Sequence, residues 1–145
     1  MSRLVNGVYQ EPENLGDSIN TRFGEFEPWV APDESYLIVS AQGRPDGLGG
    51  FDLYISFRRN GVWQRLQHLP APINSPHGDF NQSVSPDGRY LFFSSSRSTL
   101  DKIPAEPWNY RELQRRLTTV GNGLGDIYRV EMERLGVPRP AGVSP

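Results

Sequence analysis

The chain has 145 residues, enough for one domain with its own core, and carries a formal net charge of −2. That balance, with no basic face and no Lys/Arg run interleaved with aromatics, excludes a nucleic-acid-binding surface. The absence of cysteine excludes disulfides and Cys-ligated zinc, and no apolar run approaches the roughly 18–20 residues of a bilayer span. In chain order, Met1 to Gln10 lacks the apolar stretch of a signal peptide, so the sequence as it stands reads as cytoplasmic. Glu25 to Ala31 reads as a strand ending at the turn Pro32-Asp33-Glu34-Ser35. Tyr36 to Ala41 is a short β-rich apolar run, expected to be buried on both faces. A Gly-rich loop, Gln42 to Gly50, precedes an alternating strand, Phe51 to Arg58. The hairpin pair Asn60-Gly61 then leads into a more polar strand, Val62 to Leu69, suited to an edge.

Most of this pattern occurs twice, shifted by 54 residues. Aligning 6–43 with 60–97 without a gap gives 15 identities in 38 positions. Self-similarity at such a period marks repeat architectures such as solenoids and propellers. We label the strands of one unit A, B, C and D. The second unit places A at Asp79 to Ser85, a turn at Pro86-Asp87-Gly88-Arg89, and B at Tyr90 to Ser95. Its C strand, Asp126 to Val130, is offset by 74 from Asp52 to Ser56, so the B–C loop is 20 residues longer than in the first unit. Gly7-Val8-Tyr9-Gln10 matches Gly61-Val62-Trp63-Gln64 and so reads as a D strand. The order is D-A-B-C-D-A-B-C, with 8–69 holding a D strand and the first complete unit, 73–132 the second A-B-C, and 133–145 a tail.

These residues resemble the WD40-like β-propeller repeats of the TolB-like, Pro-Asp-motif family. The resemblance rests on Trp63, Leu69-Pro70, Ile73-Asn74-Ser75, Ser85-Pro86-Asp87-Gly88, Tyr90-Leu91-Phe92-Phe93-Ser94-Ser95 and Gly49-Gly50-Phe51-Asp52-Leu53-Tyr54. It departs at Ala31-Pro32-Asp33-Glu34, which lacks the Ser and Gly of the family turn, and at Leu124-Gly125, where the first unit has Gly-Gly. It implies an all-β fold of four-stranded antiparallel blades, about two in this chain, and export or a periplasmic location. Two blades cannot close a ring of about four to eight. Either the chain is part of a longer propeller, or copies join head to tail in a heterologous ring, most simply a trimer of six blades.

The sequence offers candidate sites without a catalytic motif. Gly-x-Ser-x-Gly, Walker A and dinucleotide fingerprints are absent, and no second histidine lies at metal-ligand spacing, so neither catalytic residue, metal nor cofactor is assigned. Asp33 and Asp87 read as turn aspartates. Asp46 to Asp52 only faintly resembles a calcium loop. His77, Asp79 and Asn81, with Phe23, Glu25 and Glu27 in the first unit, fall where the mouth of a channel is expected and form the ligand candidates. His68 reads as exposed on the outer strand. The insertion 98–120 predicts one short helix with Tyr110, Leu113 and Leu117 in an apolar stripe. Docking of this stripe on the β scaffold is the simpler expectation; a partner contact through Trp108, Tyr110, Arg111 and Arg115 is the functional one. Together these point to a non-catalytic module binding a protein, peptide or glycan. The alternative is a carbohydrate lyase or hydrolase at the channel mouth.

Overall fold

The computed structural model describes residues 2–99 and 106–137. Residues 100–105 of the insertion and 138–145 of the tail lie outside the described residues. The fold is all-β with one short helix. The strands are β1 (Leu4–Val5), β2 (Val8–Tyr9), β3 (Gly24–Val30), β4 (Tyr36–Gln42), β5 (Asp52–Arg59), β6 (Val62–Trp63), β7 (Gln67–His68), β8 (Asp79–Val84), β9 (Tyr90–Ser95) and β10 (Asp126–Glu131). The helix α1 spans Tyr110–Leu117, and a 3-10 turn, Met132–Leu135, follows β10.

Three antiparallel sheets result. The first runs β3-β4-β5-β6, with β7 also paired to β5; the second runs β8-β9-β10; β1 and β2 form a separate hairpin. The first two share one register. Glu25 opposes Ala41 as Asp79 opposes Ser95, and Val30 opposes Leu37 as Val84 opposes Leu91. Each inner strand carries a bulge at the same place, between Phe26 and Trp29 and between Phe80 and Ser83. At the next step, Tyr36 opposes Phe57 as Tyr90 opposes Glu131, pair for pair along β5 and β10. The extra 20 residues before β10 therefore leave the pairing untouched.

The turns repeat as well. The Ala31 N–H donates to the Tyr36 carbonyl and the Ser85 N–H to the Tyr90 carbonyl. Asp33 accepts the Ser35 N–H and Asp87 the Arg89 N–H, the local bonds expected of turn aspartates. Glu34 stands at φ +55° where the second unit has Gly88 at +68°. A left-handed conformation costs a glutamate what it does not cost glycine, and Glu34 is also paired with Arg58.

The core lies between the sheets. Tyr36, Ile38, Leu53 and Ile55 of the first face Val84, Leu91 and Phe93 of the second, with Leu69 and Ile73 filling the layer. The opposite face of the first sheet buries Leu37, Val39, Ala41 and Tyr54 under Trp63, Leu66 and Ile19. Covering on both faces corrects the expectation for β5: its alternation predicts a half-buried strand, yet Asp52 to Ser56 are all buried. The expected single strand Val62 to Leu69 is also broken, into β6 and β7.

One loop fixes how the two units meet. A Cβ on Gly49 would lie 1.7 Å from the His77 carbonyl oxygen, whereas a Cβ on Gly50 would meet nothing within 4 Å. Gly49→Ala must push two backbone segments apart, a cost of about 3 kcal/mol or more. Gly50→Ala should stay within about 0.5 kcal/mol of the parent. Urea unfolding of the two variants side by side checks this.

Candidate functional site

The predicted mouth residues do not form one cluster. They fall into two structural pairs and two peripheral side chains. Glu25 accepts the Thr21 N–H at 3.2 Å and is also bonded by the Thr21 hydroxyl. Asp79, one repeat later, accepts the Ser75 N–H at 2.6 Å and the Ser75 hydroxyl at 2.8 Å. Each carboxylate thus ties down the loop that enters its inner strand. Asp79 is fully buried and adds an ion pair with Arg97 at 3.0 Å. The same guanidinium donates to the Ile73 carbonyl at 2.7 Å and the Pro72 carbonyl at 3.0 Å. Its carbon lies 4.4 Å from the Tyr128 ring centroid, much as that of Arg44 lies 4.5 Å from the Tyr54 ring centroid.

Glu27 and Asn81 sit on the two bulges, at φ +53° and +57°. The Glu27 carboxylate accepts the Asn81 N–H at 2.6 Å and the Ser40 hydroxyl at 3.1 Å. The Gln82 amide reaches back across the sheets to the Glu27 and Ile38 carbonyls. The pair therefore links the two inner strands through polar groups. His77 is exposed, and its backbone N–H donates to the Ser75 hydroxyl at 3.3 Å. Phe23 carries the guanidinium groups of Arg22 and Arg44 over its ring, at 5.0 and 5.7 Å.

The acidic loop before β5 is committed to the fold. Asp52 accepts the Leu48 and Gly49 N–H groups at 3.0 and 3.2 Å. Asp46 accepts Arg44 Nε at 3.2 Å and the Tyr54 hydroxyl at 3.1 Å. Burial first, then the Asp46 charge, pushes the Tyr54 phenol well above its ordinary pKa. Among the described residues, no group of three His, Cys, Asp or Glu side chains converges to hold a metal ion.

His68, expected to be exposed, is half-buried. Its Nε2 lies 2.9 Å from Asn74 Nδ2 and 3.4 Å from Asp52 Oδ1, and its ring meets Tyr54 edge-on. The two Asn74 amide hydrogens are taken by the Leu53 and Leu69 carbonyls, at 2.9 and 2.8 Å. Sequence reasoning missed Arg97, Gln82 and the role of Asn74. For Asn74 the signal was present, since Ile-Asn recurs as Ile19-Asn20.

The insertion helix is capped by Asn109, whose side chain accepts the Glu112 N–H at 3.0 Å. Arg116 pairs with Glu112 and lies over the Trp108 ring at 4.6 Å. No residue of α1 is buried: Tyr110 is 79 % exposed, Leu113 38 % and Leu117 49 %. The expected docking of this stripe on the β scaffold is therefore not what the chain does. Arg111 and Arg115 are exposed as well. No known family, curated protein or solved structure matches the chain. No helix among the described residues is long and apolar enough to cross a membrane.

Of the residues expected at a channel mouth, Asp79 alone holds both its loop and a guanidinium. Asp79→Ala should cost about 3 kcal/mol, because it strands Arg97 and releases the Ser75 loop. Glu25→Ala, at a half-buried position without a basic partner of this kind, should cost about 1 kcal/mol. Denaturant midpoints at an unchanged slope would establish the order; equal losses would contradict it.

Proposed function

We propose that the two sheets are neighbouring blades of a β-propeller of the TolB-like kind. In this reading the chain is a non-catalytic module that binds a protein, peptide or glycan. The ring is completed by further copies joined head to tail, three copies giving six blades, or by the rest of a longer propeller. The shared register, the shared bulges and the face-to-face core support the blade reading. The carboxylates at the mouth support a binding role over the lyase or hydrolase alternative, because they are engaged in fixing loops and strands.

The observation that carries the binding reading is α1. It stands on a rigid β scaffold with Tyr110, Leu113 and Leu117 exposed and with Arg111 and Arg115 beside them. Aromatic and Arg side chains in this setting are the usual anchors of a protein contact. The combined variant Trp108→Ala, Tyr110→Ala, Arg115→Ala should bind at least tenfold more weakly to ligands selected from peptide and glycan arrays, with an unchanged melting temperature. Undiminished binding would remove α1 as the contact. Turnover of a glycoside that is lost in His77→Ala would favour the enzyme.

A further inference from the structure

The two sheets have the same strands but not the same edges. Leu53 of β5 is 0 % exposed, and its counterpart Ile127 of β10 is 79 % exposed. The difference lies in what covers the third strand. Over β5, the Asn74 side chain accepts the Leu53 N–H at 2.7 Å and donates to the Leu53 carbonyl at 2.9 Å. The Leu69 N–H donates to that carbonyl at 3.0 Å, and β6 and β7 continue the pairing. Among the described residues, β10 is an edge, paired only to β9.

The cover that β10 lacks exists one repeat earlier in the chain. β1 and β2 pair Leu4 with Tyr9 and Val5 with Val8, as Arg58 pairs with Trp63 and Arg59 with Val62. The turns agree to within a degree or so, with Asn6 and Gly7 at φ +50° and +78° against +50° and +79° at Asn60 and Gly61. Leu15 and Asn20 stand where Leu69 and Asn74 stand. Without a third strand to clamp, Asn20 Oδ1 accepts the N–H of its own Leu15 at 3.0 Å. Leu4, Val5, Val8 and Tyr9 are all exposed. β10 stops at Glu131, the counterpart of Phe57, and β1 starts at Leu4, the counterpart of Arg58. The chain then leaves at Met132, whose N–H bonds Arg89 as that of Arg58 bonds Ser35. By repeat position the two strand pieces are consecutive, one ending where the other begins.

We propose that residues 4–20 of one copy complete the second sheet of another copy. Asn20 and Leu15 clamp the Ile127 peptide as Asn74 and Leu69 clamp Leu53. β1 continues the line of β10, and β2 with the following segment supplies the fourth strand. This rests on the blade reading and names the partner of its open edge: a second copy of this chain. The register follows from the pairing of Ile55 with Gln67. It sets Glu13 opposite Arg129, which are opposite charges. The sheet faces agree too. Val30 is 40 % exposed while its counterpart Val84 is 8 % exposed, and Tyr90 and Phe92 are less buried than Tyr36 and Ile38. The second sheet thus has a face less covered than its counterpart, while on the far face of the first sheet Val30 stays exposed beside the covered Leu37, Val39 and Ala41.

The absence of native cysteine makes the test direct. Directly opposed residues of an antiparallel pair lie about 4.5–5.5 Å apart at Cα, within disulfide range. Glu13→Cys mixed with Arg129→Cys should give, under mild oxidation, a disulfide-linked dimer of twice 16.4 kDa. Either variant alone should give far less. Carrying both cysteines on one chain should give linked species up to the closed ring. The slipped pair Asn14→Cys with Arg129→Cys should link at least tenfold more slowly. By light scattering, Asn20→Ala should shift the particle from about three chain masses to one without lowering the melting temperature of the monomer. The proposal is overturned by a disulfide within one chain, by self-linking of a single variant, or by an assembly that survives Asn20→Ala. Asn74→Ala separates this failure from that of the blade reading. If it unfolds the chain while no link forms, the four-stranded unit stands and only the junction is refuted. If it leaves stability unchanged, the clamp fails as a repeat element, and the blade reading fails with it.

Discussion

The structure turns on the outer edge of one strand. β5 is buried on both faces, so the backbone groups of Leu53 cannot turn to water. A buried amide left without a partner costs about 1–3 kcal/mol. The fourth strand gives the carbonyl one bond, from the Leu69 N–H, but leaves the N–H unmet: β7 pairs with Tyr54 and Ile55, and β6 with Arg58 and Arg59. The Asn74 side chain closes the gap. Because a side-chain amide can bridge an N–H and a C=O only from one position, this bond sets the path from β7 to β8. It places Ile73 in the core, Ser75 within reach of Asp79, and the His77 carbonyl against Gly49.

The polar groups at the inner strands follow from the same constraint. Asp79 and Glu25 hold loops whose course the Asn residues have already determined. Arg97 is held for Asp79 because its guanidinium lies over the Tyr128 ring and donates to the Pro72 and Ile73 carbonyls. Glu27 and Asn81 occupy left-handed positions, which asparagine adopts more readily than glutamate. The bulges hold them there, and the Glu27 bond to the Asn81 N–H recovers part of that cost. A rigid frame of this sort suits recognition by the loops it carries.

Much of the fold was legible in the sequence, for a specific reason. The 54-residue shift preserved Phe26, Val30, Tyr36, Leu37 and Ser40, and these positions govern register and burial. What the sequence did not reveal depends on neighbours rather than on pattern. The alternation of Phe51 to Arg58 identifies two faces but not that both are covered. The polarity of Val62 to Leu69 suggests an edge but hides the break in pairing and the burial of His68 against Asp52. The spacing of Tyr110, Leu113 and Leu117 defines a stripe, but periodicity does not say what the stripe meets. The mouth residues were grouped by their place in the repeat. Their partners, Arg97 and Gln82, stand where the first unit has Gly43 and Pro28, so the repeat carries no sign of them.

The inequality of the two sheets carries the final step. Identical register with unequal burial means that the repeat does not by itself satisfy each unit; a unit is finished by the segment that follows its third strand. In the first sheet that segment is residues 62–74. In the second, Glu131 gives way to the turn Met132–Leu135 and Gly136 in a left-handed conformation, which leads Val137 back into the core. The uncovered surfaces are therefore of different kinds: a third-strand edge on one sheet, a fourth-strand arm before the other. Surfaces that differ cannot pair about a two-fold axis in which each meets itself. In the proposed junction they pair edge to arm, and each added copy, bringing two sheets, would repeat twice the rotation between the sheets of a single chain.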